Sequence, residues 1–300
     1  MILNSKNKFN ALIIFLGLTW IFDGICQLQV KLLSFRFITQ VINPMYSYRD
    51  GIFLILEKYV TNIFLSNTLL VGGVISLLQI LIGLLIIKKS FRQLGLYSSV
   101  FWGLFIWVFG ENFGGVFTYQ YNPLMGSPGA ALVYVLVALT LIISYRYKKQ
   151  IVEILFYFWS IFWLSVLGFL LTSPLGAYNN LMIMAPKLNQ LPSWLAFFDR
   201  WYLTALIILG PSLVNVLILF LLVVALFIYG QKALRLLAVY SGCFLMLIFW
   251  LVYQNAGFYY SGLMTDLNSG PLIILVGLMI LLMPYYNLKT YLKRLENFLT

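Results

Sequence analysis

RQLGLYSSVFWGLFIWVFGENFGG, residues 92 to 115, and RLLAVYSGCFLMLIFWLVYQNAGF, residues 235 to 258, read as one pattern written twice. At a shift of 143 residues Arg92 meets Arg235, Tyr97 meets Tyr240, Ser98 meets Ser241, Trp107 meets Trp250, Asn112 meets Asn255 and Gly114 meets Gly257. Farther out, Trp20 meets Trp163 and Pro128 meets Pro271, with no gap needed. Chance similarity between Leu-rich segments does not align Arg, Trp, Asn, Gly and Pro together, so the shift is read as an internal repeat.

What is repeated is apolar. With 62% hydrophobic residues, 18% aromatics and 9% charged side chains, a soluble chain would lack the polar surface it needs. Runs of the 17 to 25 residues that a hydrocarbon core of about 30 Å asks of a helix recur at 10–29, 68–87, 95–116, 128–145, 151–172, 204–229, 236–256 and 271–286. They lack the alternation of a barrel wall. The expectation is an all-α polytopic membrane protein with eight transmembrane helices. These form two four-helix repeats, 1–150 and 151–300. Four is even, so the two are parallel, related by an axis along the membrane normal. Two longer segments, 49–67 and 191–203, carry helically spaced apolar and aromatic residues such as Ile55, Tyr59, Trp194 and Trp201, and are expected to lie as interfacial helices on the outer face.

A net charge of +11 invites a nucleic-acid reading. The positions of the basic residues argue against it: Lys6 and Lys8, then Lys88, Lys89 and Arg92, then Arg146, Lys148 and Lys149, then Lys232 and Arg235, then Lys289, Lys293 and Arg294. These fall in short segments on alternate faces, the positive-inside signature. It puts both termini in the cytoplasm of a multi-pass protein of the cell membrane whose first partner is the lipid bilayer. The first span carries Asp23 and ends at CQLQVK without a small-x-small cleavage site, so it is expected to be retained. Cys26 and Cys243 belong at opposite depths and do not suggest a bridge. No histidine occurs, which removes bis-His haem, histidine-ligated copper or zinc, and a histidine proton shuttle. No metal set, phosphate loop or nucleophile elbow is found.

Polar residues at membrane depth are the candidates for function. Asp23 and Glu111 rise to similar depths near the outer ends of spans that run in the same direction. Gln27 lies one turn beyond Asp23, Gln79 belongs to a small and polar stripe with Gly72, Ser76 and Gly83, and Asn112 follows Glu111. Together Asp23, Gln27, Gln79, Glu111 and Asn112 make one expected polar intramembrane cluster, a pocket open to the outer face. The matching residues of the second half are Val166 for Asp23 and Gln254 for Glu111, which places the site in residues 1–150. A second reading of Glu111 stands beside this one: an interfacial cap on the outer turn near Gly114 and Gly115.

Trp20, Asp23 and Gly24, then Pro44, Gln79, Gly83, Arg92, Leu94 and Gly95, then Trp107 and Glu111, form a four-span unit that resembles the DoxX/DoxD-type membrane family. The resemblance implies a redox-associated subunit linked to a terminal oxidase or a quinone, with quinone as the cofactor to consider and other membrane subunits of a respiratory complex as partners. The chain has no cofactor motif of its own, so any cofactor would be held by another chain. Parallel repeats with intramembrane acids point instead to a small-solute or proton-coupled transporter using Asp23 and Glu111. An assembly or stabilising subunit is the third reading, and the sequence leaves open whether the protein is an enzyme.

Overall fold

In a bilayer no water satisfies backbone N–H and C=O groups, so a chain of long apolar runs satisfies them within each run, as helix. A computed structural model describes residues 5–39, 52–117, 121–147, 152–172, 177–183 and 191–282, and every regular element in them is helical. In chain order these are α1 (Ser5–Cys26), α2 (Ile52–Ser66), α3 (Thr68–Ile87), α4 (Arg92–Phe105), α5 (Ala130–Tyr147), α6 (Val152–Thr172), α7 (Ala177–Ile183), α8 (Ser193–Leu226), α9 (Lys232–Val252) and α10 (Ser269–Leu282), with a single turn at Phe35–Phe37 between α1 and α2. Pro44, Lys148, Lys149, Lys289, Lys293, Arg294 and the last four residues of the eighth expected span lie outside the described residues.

Six helices are long and apolar enough to cross a membrane: α1, α3, α4 with its extension to Gly110, α6, α8 and α9. The other two expected spans correspond to shorter apolar helices, α5 and α10. Large apolar side chains face outward along these helices, with Phe101 75% and Ile208 74% exposed. That arrangement belongs to a membrane-embedded protein, whose lipid-facing surface needs no polar cover.

Small residues bring the helices together. A Cβ on Gly24 would lie 2.7 Å from the Ser76 carbonyl oxygen, so α1 and α3 approach backbone to backbone. The Ser76 hydroxyl donates to the Gly24 carbonyl at 2.6 Å across the same contact. The Trp20 indole N–H reaches the Ser99 hydroxyl on α4 at 2.8 Å. In the second half the Trp159 indole donates to the Val224 carbonyl at 3.0 Å and the Ser160 hydroxyl to that of Ala225 at 2.7 Å, tying α6 to α8. The halves meet where α5 packs on α10, and α10 also touches α1 and α6. Arg92 donates to the Asn10 side chain at 3.2 Å, which fixes the basic turn beside the start of α1, at the end opposite Asp23.

Local features recur along the chain. Asn67 separates α2 from α3 and caps the latter, its side chain accepting from the Leu70 amide at 3.1 Å. The residue 143 positions later, Gly210, has φ 53° and ψ −144° and breaks α8 just before Pro211, which has no amide hydrogen to continue the ladder. The Glu111 amide bonds the Ile106 carbonyl five residues back at 2.9 Å, and the Gln254 amide bonds that of Phe249 at 3.1 Å. Four consecutive left-handed residues follow each: Asn112, Phe113, Gly114 and Gly115, then Asn255, Ala256, Gly257 and Phe258, all with φ between 48° and 75°. Each non-glycine residue so held costs about 1–2 kcal/mol.

Beyond these turns the register expected from the sequence needs correcting. Trp107 donates its indole N–H to the carbonyl of Pro128, 21 residues on, while Trp250 donates to that of Leu267, 17 residues on. Pro128 precedes α5, whereas Pro271 lies inside α10. The return segment of the second half is four residues shorter, so the two prolines do not occupy matching places and the alignment is not free of gaps.

Candidate functional site

The last turn of α1 carries Asp23, 2% exposed. Its carboxylate is held from two sides. The Tyr134 hydroxyl, on α5, donates to one oxygen, and the Leu267 amide, in the segment before α10, donates to the other at 3.3 Å. Tyr134 is itself placed by its ring, 4.2 Å from that of Trp20 between centroids. Gln27, one turn on, reaches the Thr265 carbonyl at 3.5 Å. From α3 comes Gln79, buried at 3% exposure, whose amide oxygen has no hydrogen-bond partner.

Glu111 stands between the end of α4's π-helical extension, Ile106–Gly110, and the left-handed turn. Its carboxylate accepts from the Ala131 amide at 3.0 and 3.2 Å and so caps α5, where free amides and the helix dipole favour an anion. In the second half the side-chain amide oxygen of Gln254 accepts from the Gly270 amide at 3.1 Å in the same way. The cap expected of Glu111 is therefore present. The carboxylate nevertheless points inward, because it also borders a cavity.

That cavity measures about 670 Å³ and is lined by Asp23, Gln27, Gln79, Glu111 and Asn112 together. Its polar wall also includes Tyr134 and Asp266, two side chains that the sequence reading missed. Asp266 belongs to the second half, so the acids are not confined to residues 1–150. Its carboxylate accepts from the Thr265 hydroxyl at 2.8 Å and from the Asn268 amide at 2.5 Å. Burial pushes this carboxyl above the usual carboxylate range, an effect partly opposed by those two hydrogen bonds. Asp23, Glu111 and Asp266 all border this one cavity. Among the described residues no Lys or Arg lines the cavity. Trp20, Trp102, Phe105 and Phe109 add aromatic rings to a wall otherwise made largely of small, aliphatic and polar residues.

Tyr134 has one signal in the sequence, a phenol inside the apolar run ALVYVLV, since a buried tyrosine hydroxyl seeks a partner. Asp266 had none, because it sits in a turn and reaches the site only through the packing of the two halves. A further acid, Asp199 on α8, is fully buried with both oxygens unpartnered, outside the cavity. Cys26 and Cys243 are unpaired thiols. Among the described residues no three His, Cys, Asp or Glu side chains are grouped closely enough to hold a metal ion.

No protein-family model matches this chain, and no curated protein or solved structure matches it.

Proposed function

We propose that the protein is a proton-coupled carrier of a small solute, with the acid-lined cavity as its binding site. The observation that carries the reading is the cavity itself: about 670 Å³, within the usual range of ligand sites, with three carboxyl groups facing it and, among the described residues, no basic residue in its wall. Acids so placed have to be neutralised by protons or by what enters, and a group that exchanges one for the other couples a proton to a solute. The quinone-linked and assembly-subunit readings rest on resemblance and composition; the carrier reading has the cavity besides.

The same proposal takes the chain as two copies of a four-helix unit, eight spans in all, with both termini cytoplasmic and the cavity facing outward. The matching left-handed turns, the helix breaks at Asn67 and Gly210, and the caps made by Glu111 and Gln254 support the duplication. Arg92 and Asp23 at opposite ends of the same bundle support the orientation. α2 and the first part of α8 then lie at the outer interface. The exposed stripe of Ile55, Tyr59 and Ile63, one helical face, supports this for α2.

The test is reconstitution of the full chain into liposomes enclosing a pH-sensitive dye, with quaternary ammonium ions, carboxylates and sugars added outside. At least one class is expected to drive proton movement through the protein that protein-free vesicles lack and that Asp23→Asn abolishes. Solute-independent behaviour identical to empty vesicles would refute the carrier.

A further inference from the structure

Three features of the cavity constrain what it takes. The carboxyl groups of Asp23, Glu111 and Asp266 face the space from α1, from the end of α4 and from the segment before α10, and among the described residues no Lys or Arg lines it. The hydrogen bonds these groups accept come from neutral donors only: Tyr134 and the Leu267 amide, the Ala131 amide, and the Thr265 hydroxyl with the Asn268 amide. Separately from the acids, the wall holds polar groups that the protein leaves unanswered. Among the described residues the amide oxygen of Gln79, 3% exposed, has no hydrogen-bond partner, and the Trp102 indole N–H has none. Lastly, the aromatic side chains of Trp20, Trp102, Phe105 and Phe109 border the same volume.

An anion would meet three carboxyl groups and no positive charge. A neutral polyol would answer the acceptors and leave the charge unbalanced. A coordinated divalent metal needs a tight set of ligands, and the acidic and thiol side chains described are not so grouped. An ammonium group satisfies carboxylates and an amide oxygen at once, and aromatic rings attract it through their faces.

We propose that the cavity binds an organic cation, with the ammonium group among Asp23, Glu111 and Asp266 and the apolar part against Trp20, Trp102 and Phe105. The inference rests on the carrier reading and names its substrate class. Protons held by the empty cluster are released to bulk water as the cation enters, so the exchange is charge for charge. Other titratable groups around the site are Tyr134, hydrogen-bonded to Asp23; Lys31, whose ammonium donates to the carbonyl of the lining residue Ser261 at 2.5 Å; and Cys26, behind the lining, whose thiol contacts the Met264 sulfur at 3.6 Å.

Calorimetry on the detergent-purified full chain tests this with three probes of similar size: benzyltrimethylammonium, which carries no proton of its own; neopentylbenzene, its uncharged carbon isostere; and benzenesulfonate. The ammonium is expected to bind at least about tenfold tighter than the neutral isostere. Its heat should differ between phosphate and Tris buffers, as proton release requires. Asp266→Asn should weaken it about tenfold. Glu111→Gln, which keeps the cap as Gln254 does, should weaken it and reduce the protons released, with melting curves showing both variants folded. Neopentylbenzene binding as tightly as the ammonium, benzenesulfonate binding more tightly, no ammonium binding, or affinity unmoved by both variants would each overturn the proposal. Failure of the substrate class leaves proton-coupled transport of another solute in liposomes intact. Selective ammonium binding without transport leaves the site and sinks the carrier.

Discussion

Glu111 holds two roles that substitution can separate. Its carboxylate caps α5 through the Ala131 amide at 3.0 and 3.2 Å and also borders the cavity. Glu111→Gln keeps a carbonyl oxygen at the cap, the arrangement that Gln254 shows with Gly270 at 3.1 Å. It gives up only the charge–dipole contribution, about 0.3–1 kcal/mol. Glu111→Leu leaves the Ala131 amide without its acceptor, a cost of about 1–3 kcal/mol. At about 2–4 °C per kcal/mol, the leucine variant should melt several degrees below wild type and the glutamine variant within about 4 °C of it. A thiol-reactive fluorogenic maleimide reports the transition, since Cys26 is buried at 7% exposure and becomes reactive on opening. Proton coupling should be lost in both variants alike. Equal melting of the two variants would refute the cap, and coupling retained in Glu111→Gln would refute the role of its charge.

Gly129→Ala should destabilise by about 1–3 kcal/mol, because φ is +104° and an added Cβ would collide with the Glu111 carboxylate; Glu111→Ala in that background should recover part of the loss in the same melting assay, and no recovery would mean the collision is not the cause. Burial raises the Asp266 carboxyl above its unfolded value, so its contribution to stability is complete below the ordinary carboxylate pKa and lost as pH rises through the raised one. Melting temperature should therefore fall on going from acid toward neutral pH, and Asp266→Asn should make that fall shallower, leaving the share of Asp23 and Glu111; an unchanged slope refutes it. A single cysteine at Ser90, in a chain lacking Cys26 and Cys243, should resist labelling by impermeant reagents from outside intact cells; strong labelling inverts the topology.

Much of this architecture was legible because membrane insertion depends on features written residue by residue. Apolar length marked the helices, and basic residues marked the end at which Arg92 meets Asn10. The cluster of Asp23, Gln27, Gln79, Glu111 and Asn112 was legible for a related reason: polar groups in an apolar run have to face one another. What was not legible depends on backbone geometry and on contacts between the halves. Asn112 and Gly114, with Asn255 and Gly257, hint at left-handed backbone, but Phe113, Ala256 and Phe258 give no such hint and adopt it all the same. The prolines misled because proline suits both places it occupies. In one, the Pro128 carbonyl accepts the Trp107 indole; in the other, Pro271 sits in the first turn of α10, where a missing amide hydrogen costs nothing. Asp266 was missed because its depth comes from the fold of the loop rather than from a helix.

The two halves make a mirror experiment. Gln254 is fully buried and uses both ends of its amide: the oxygen accepts from Gly270, and the nitrogen donates to the Leu124 carbonyl at 3.3 Å and the Ser269 hydroxyl at 3.2 Å. Gln254→Glu keeps the cap and turns the donor into an acceptor facing another carbonyl oxygen. Gln254 does not line the acid-bearing cavity, and the position matching Asp23 is Val166, packed in the core. Leaving the Leu124 carbonyl opposed by a buried acid should cost about 1–3 kcal/mol or more. Glu111→Gln, the reverse exchange at the matching place, should cost less than about 1 kcal/mol. Melting both variants side by side checks the asymmetry: a Gln254→Glu chain as stable as Glu111→Gln would mean that the second half tolerates an acid, and that the acids of the first half owe nothing to the cavity beside them.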